Sequence, residues 1–177
     1  MQTHGLALHS AREAFLAEVG PAAQRLAAEI GVSIPEISLV PGWDPDEPLE
    51  GALARTRGAD MARGHSSLGP HRADVAFQKG GAQAGAVLSR GESKQFVVIL
   101  LLAEAVVRAG RQNERPVLLL DDFGAELDTT GQGRVLTLLR EIGVQAFLTS
   151  TQRLGDTLGN DDAVFHVERG GFTKMLE

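Results

Sequence analysis

With 177 residues, 43% of them apolar, the chain is long enough to bury one sizeable core or to form a large piece of a bigger one. The absence of cysteine excludes disulfides and thiolate metal sites, and a formal net charge of -6 argues against a chain that coats nucleic acid through surplus cations. No basic stretch followed by an apolar run opens the sequence, and the longest apolar run, Phe96 to Ala103, is far short of the roughly 18 to 20 residues that cross a bilayer. The sequence therefore predicts a soluble, cytoplasmic protein with no membrane partner.

Residues 8 to 30 place Leu8, Phe15, Val19, Ala22, Leu26 and Ile30 at three- and four-residue spacings, the stripe of an amphipathic helix, which Gly20-Pro21 is expected to break or kink. Residues 31 to 64 are rich in Pro, Gly and charge, with a short strand-like Ile34 to Val40 interrupted by Pro35 and nothing periodic before His65, so a linker or small subdomain is expected. Between Arg55 and Arg72, the cations Arg55, Arg57, Arg63 and Arg72 outnumber Asp60, directly after the acidic Asp44, Asp46, Glu47 and Glu50. Two readings stay open there: a DNA-contacting patch, or two solvated segments of opposite sign. Trp43 is expected to anchor the Pro-rich segment in an apolar cluster, with stacking on a DNA base as the alternative. The five histidines are scattered without metal-ligand spacing.

From Gly69 the texture changes. Gly69-Pro70 reads as a turn that launches a strand, in which Ala73, Val75 and Phe77 alternate with polar or small neighbours, and Gly80-Gly81 turns the chain again. Ser89 opens a long apolar helix to about Ala109, Val117 to Leu120 forms a short buried strand, Gln132 to Ile142 is an amphipathic helix ending at Gly143, and Val144 to Thr149 is a further strand. Two buried strands joined by a helix predict a right-handed parallel crossover and an α/β fold. Ala163 to Val167 and Phe172 to Leu176, around Gly170-Gly171, read as a hairpin.

Two constellations bear chemistry. In Val117-Leu118-Leu119-Leu120-Asp121-Asp122, four apolar residues call for a strand covered on both faces, and the adjacent carboxylates must mark its C-terminal edge, where open α/β sheets bind ligands. There Asp121 suits Mg²⁺, directly or through water, and Asp122 is placed to orient or deprotonate a water; the plainer reading is a strand running into a polar turn. In Ser89-Arg90-Gly91-Glu92, the Ser and Glu have the spacing of a capping box, while a helix N-terminus with a hydroxyl and a closely approachable Gly is equally a phosphate-binding surface.

The ordered set of Ser89-Arg90-Gly91-Glu92, an apolar helix, the Val117 to Asp122 strand and then Glu126-Leu127-Asp128 resembles the signature, Walker B and D-loop motifs of ABC-type ATPases. Within that superfamily, Gly69-Pro70-His71-Arg72-Ala73-Asp74, Leu88-Ser89-Arg90-Gly91 and Leu120-Asp121-Asp122-Phe123 resemble the RecF family of DNA-repair ATPases, well over residues 65 to 168 and loosely over the first 60. The resemblance implies an α/β fold that is the C-terminal half of an ABC-type P-loop ATPase head with part of a helical arm. Residues 1 to 64 would be part of the arm (lobe II) and linker, and 65 to 177 part of the head.

It further implies that Ser89, Arg90, Gly91 and Glu92 contact ATP bound by the opposite subunit of a homodimer, that Asp121 is the Mg²⁺-associated acid, and that Asp122 stands where most ABC ATPases have a catalytic Glu. Asp128 would lie in the loop at the dimer interface, and Thr149 at the switch position. The sequence departs from the commonest pattern at Arg90, which replaces Gly, at Glu92, which replaces Gln, and at Thr149-Ser150-Thr151, which stand where many relatives have His. These hydroxyls can hydrogen-bond a phosphate but not serve as acid or base near neutrality, which fits slow, regulatory hydrolysis. DNA at single-strand/duplex junctions and the mediators RecO and RecR are the implied partners.

None of the three lysines, Lys79, Lys94 and Lys174, sits in a Gly-x-x-x-x-Gly-Lys-Ser/Thr loop, so the residues carry no Walker A motif. The family has that loop near the start of a longer chain, which implies that these residues are part of a longer or split protein. The rival readings are another ABC-type machine, SMC-like or a transporter subunit, and a noncatalytic DNA-binding or dimerisation module.

Overall fold

A computed structural model describes residues 2–112, 116–152, 154, 158, 159 and 162–175. The chain divides into two compact units, Met1–Pro116 and Val117–Glu177. The boundary expected from sequence at residue 64/65 falls inside the first of these, where strands on either side of it pair with each other.

The first unit is built on two long helices, α1 (Gln2–Glu29) and α4 (Arg90–Gln112), packed against each other. Val19, Ala23, Leu26 and Ala27 of α1 and Phe96, Val98, Ile99, Leu102, Ala103 and Ala105 of α4 are buried, as their three- and four-residue spacing dictates. Glu18 of α1 accepts from Arg111 Nε of α4 at 3.0 Å. The expected break at Gly20-Pro21 does not occur: α1 runs through Pro21. Pro21 costs the helix one N–H donor, but it points to solvent and follows a glycine with no Cβ to meet the ring, so the packed stripe continues on either side.

Strand β1 (Glu36–Val40) starts just after Pro35 and pairs antiparallel with β2 (Asp74–Lys79), Ile37 opposite Phe77 and Leu39 opposite Val75. Gly80 and Gly81, at φ 61° and 79°, make the two-residue turn into β3 (Ala82–Gln83). The segment between β1 and β2, where a linker or small subdomain with no periodic element is expected, contains a 15-residue helix α2 (Leu49–Arg63). Its sequence shows no apolar period because only Leu49 and Ala52 of it are buried, while Gly51, Gly58 and five charged residues fill its other faces. A turn at Pro70–Arg72 precedes β2, and the short α3 (Ala84–Val87) precedes α4. Gly42 (φ 80°) lies so close to the backbone of residues 69, 72 and 73 that a Cβ there would meet it at 2.5 to 2.6 Å.

In the second unit β4 (Val117–Leu120) runs parallel to β5 (Gln145–Leu148), Leu120 beside Leu148, and α5 (Thr129–Ile142) connects them. The parallel crossover is as expected. The expectation that β4 is covered on both faces is not met: Leu120 is buried, but Leu119 is 74% and Phe147 beside it 57% exposed, because the described residues of this two-stranded sheet cover only one face. Leu120, Phe123, Leu127, Val135, Leu136, Leu138 and Leu139 form the buried set. The hairpin β6 (Val164–Glu168) and β7 (Gly171–Met175) turns at Arg169 and Gly170, both at positive φ, and Leu176 lies outside the described residues.

Candidate nucleotide-edge site

Asp121 and Asp122 follow the last residue of β4, at the C-terminal edge of the parallel pair, and Thr149 follows the last residue of β5. The ladder extends one step past both strands: Thr149 N–H donates to Leu120 O at 3.0 Å, and Phe123 N–H donates to Thr149 O at 2.7 Å. Asp121 and Thr149, 28 residues apart, are thereby brought into contact, the Thr149 hydroxyl donating to Asp121 Oδ1. Asp122 N–H donates to Thr149 Oγ1 at 2.9 Å and to Asp121 Oδ1 at 3.1 Å. Asp122 itself is left-handed at φ 48°, a conformation that Asp tolerates better than most side chains. Both carboxylates are exposed, so the edge is open to a ligand.

The loop leading to α5 is held from beneath. Phe123 is fully buried, and a Cβ on Gly124 would lie 2.6 Å from Ser150 Oγ, so that side chain would have to move to admit one. Asp128, assigned to the D-loop from sequence, is the N-cap of α5, its Oδ1 accepting from Gly131 N–H at 2.7 Å. Gln132 was not singled out in the sequence; it is buried and donates to Leu127 O at 3.0 Å and Gly124 O at 3.4 Å. Its signal was available, since it stands three and four residues before Val135 and Leu136 on the apolar stripe of α5, where a polar residue needs a partner.

In the first unit Ser89 and Glu92 form the reciprocal capping box: Glu92 N–H donates to Ser89 Oγ at 3.2 Å and Ser89 N–H to Glu92 Oε2 at 2.9 Å. The Ser89 backbone donor, then the Ser89 side chain, and then Lys79, whose Nζ lies 3.5 Å from Glu92 Oε1, hold the Glu92 carboxyl below the usual glutamate range. Ser89, Arg90 and Glu92 are exposed at the N-terminus of α4 and Gly91 is half-buried. The Ser89 side chain therefore serves the box twice, accepting from Glu92 N–H and helping to hold the Glu92 carboxylate charged.

The four arginines proposed from sequence lie on or after α2. Arg55 makes a bidentate pair with Glu47 at 2.5 and 3.0 Å, Arg72 Nε donates to Ser66 O at 2.7 Å, and Arg63 lies in the field of Asp60. Arg57 lines an open cleft of about 630 Å³ with Glu50, Leu53, Met61 and His65. Trp43 is buried edge-on to His9, with ring centroids 5.6 Å apart, which leaves no face for a base. Among the described residues no three His, Cys, Asp or Glu side chains gather as a metal cage, and no helix is long and apolar enough to cross a membrane.

No family model matches the chain. A protein named DNA replication and repair protein RecF from Hahella chejuensis is 40% identical over 147 residues, 78% of this chain and 39% of that one. A RecF from Nitrosococcus oceani is 32% identical over 181 residues, 99% of this chain and 50% of that one. The chain thus spans about half the length of the curated relatives it matches, or less. Two solved structures, of the recombination mediator protein RecF with ATP and of the same protein with the ligand written ATPrS, both in the RecFOR pathway, share the fold. Their TM-scores are 0.71 and 0.70 at 21% and 22% identity, each over 99% of this chain and 48% of the solved one.

Proposed function

From the premise that the chain is homologous to RecF over nearly its whole length, and corresponds to the C-terminal part of a RecF chain without its phosphate-binding loop, we propose that it serves a DNA-repair ATPase. In this reading it supplies the Walker B acids to its own nucleotide site and the signature helix to that of a second subunit. The observation that carries it is the joining of Asp121, Asp122 and Thr149 at the C-terminal edge of β4 and β5, where α/β sheets bind ligands.

The donor set suits Mg²⁺ in one way only. With no three-residue cage among the described residues, the acids would hold a cation that keeps most of its water and takes further ligands from phosphates, the habit of Mg²⁺ in ATP sites. Such an ion would neutralise charge on the phosphates. Asp121 would take the cation or its water, Asp122 would orient the attacking water and receive its proton, and the Ser89 hydroxyl with the N-terminus of α4 would donate to the terminal phosphate across a dimer interface. Asp128 would act near that interface while capping α5. ATP-dependent dimerisation on DNA at gaps or junctions, assisting recombinase loading with RecO and RecR in the cytoplasm, is the corresponding cellular role. DNA contacts from Arg57, with Arg55, Arg63 and Arg72 beside it, belong to the same reading, as does the helical arm of residues 1 to 64.

The test is reconstitution. The chain alone should show no ATP affinity by calorimetry, and addition of a P-loop-bearing N-terminal half should create it. In that assembly Asp122→Asn should keep ATP-dependent dimerisation and DNA binding but abolish turnover; unchanged turnover removes Asp122 from its role, and tight ATP binding by the chain alone overturns the division of labour. A second reading, a noncatalytic DNA-binding or dimerisation module, predicts DNA binding or dimerisation indifferent to ATP in the same assembly.

A further inference from the structure

Thr149 is fixed from both sides, its N–H on Leu120 O and its carbonyl on Phe123 N–H, so its β-branched side chain has little freedom of place. A hydroxyl has one proton to give and two lone pairs to offer. The proton goes to Asp121 Oδ1, and a lone pair receives Asp122 N–H at 2.9 Å. What remains is a second lone pair, which is useless to a phosphate oxygen that is itself an anionic acceptor. The expectation that Thr149 hydrogen-bonds a phosphate would require breaking its bond to a carboxylate, one of the stronger kinds.

We infer that Thr149 is a positioning residue, whose hydroxyl sets the carboxylate of Asp121 and the backbone of Asp122, and that it is not a ligand of the terminal phosphate. Both bonds to Asp121 fall on Oδ1, and among the described residues none reaches Oδ2, so the hydroxyl determines which oxygen faces a divalent cation or its water. The left-handed Asp122, at φ 48°, gains from the same group, since Thr149 Oγ1 receives the N–H of that less favourable conformation. The inference rests on the reading of Asp121 as the metal-associated acid, and its geometric part stands apart from it.

Two variants test it: Thr149→Val, which keeps the shape and removes the hydroxyl, and Thr149→Ser, which restores it. In the 177-residue chain, amide hydrogen exchange at Asp122 read by NMR should be faster by about fivefold or more in the Val variant and near wild type in the Ser variant, the scale of one lost hydrogen bond. In the assembly with a P-loop-bearing half, Thr149→Val should raise the Mg²⁺ concentration for half-maximal turnover by about tenfold, the weight of a charge-assisted hydrogen bond. The KM for ATP at saturating Mg²⁺ should hold, and Ser should restore the Mg²⁺ response. Unchanged Asp122 exchange in the Val variant overturns the inference, and so does a raised KM for ATP with an unaltered Mg²⁺ response, which is the mark of a phosphate ligand. If the wild-type assembly shows no Mg²⁺-dependent turnover, the proposed function falls, and the Asp122 exchange still decides the positioning role.

Discussion

The two acidic constellations are held in different ways. In the first unit Glu92 is satisfied within four residues by the box with Ser89. In the second, Asp121 is satisfied by a residue 28 positions away, delivered by the crossover through α5. A local site depends on the helix it caps, whereas a long-range one depends on everything that keeps two strand ends in register, so damage in the core should reach Asp121 and leave Glu92 in place.

The largest effect is expected beneath the second site. Phe123 is fully buried directly after the two acids, and its N–H closes the ladder to Thr149. Phe123→Ala should destabilise the second unit by about 3–5 kcal/mol, the range for truncating a buried aromatic. Urea titration followed by NMR signals from each unit would measure it. A loss confined to under about 1 kcal/mol, or one shared equally by the Ser89-Glu92 box, would break the contrast between the sites.

Gly124 gives a sharper and smaller test of the same dependence. Gly124→Ala places a Cβ against Ser150 Oγ, and the strain should cost about 1–3 kcal/mol. Ser150→Ala in the same chain removes the offending oxygen and should recover much of that loss. Additive losses in the double variant would show that the loop and the end of β5 do not press on one another.

These pairs explain what was legible in the sequence. The capping box, the C-cap Gly143 (φ 68°), the Gly80-Gly81 turn and the parallel crossover are carried by short patterns with fixed spacing, and all are present. The acids stand at a strand edge because two adjacent carboxylates cannot share an apolar interior. What the sequence left open is long-range or weakly patterned. The hydroxyl donor to Asp121 follows from register, α2 has too small a buried face to produce periodicity, and the uncovered Leu119 and Phe147 reflect how many strands lie alongside, which no local run of Leu reports. Asp128 stands in a loop motif and also caps α5, as an Asp at the position directly before a helix does.

The two helix caps come next in size. Ser89→Ala and Asp128→Ala each remove a side chain that accepts from an orphan N–H, and each should cost about 1 kcal/mol by chemical denaturation. Ser89→Thr and Asp128→Asn, which keep an accepting oxygen, should recover most of it. If Asp128→Ala were neutral, its carboxylate would not be the cap of α5 and its place in the loop would need another physical reason.

The smallest effect is also the most specific to the local site. Glu92 titrates below the usual glutamate range because Ser89 N–H donates to its carboxylate, with the Ser89 side chain and Lys79 adding to the effect. A carboxyl whose folded value lies below its unfolded one binds fewer protons when folded, so its contribution is present above the unfolded value and is lost as pH falls through the folded one. Glu92→Gln should therefore narrow the loss of stability between about pH 6 and about pH 3 without changing its direction, since other carboxylates titrate there too. Lys79→Met should take away only the weakest part of the same dependence, because the ammonium at 3.5 Å is exposed to screening while the Ser89 N–H is not displaced by salt. If instead Lys79→Met reproduced the whole effect of Glu92→Gln, and 0.5 M salt abolished it, the ion pair rather than the capping box would hold the carboxylate, and the local site would owe its geometry to β2 after all.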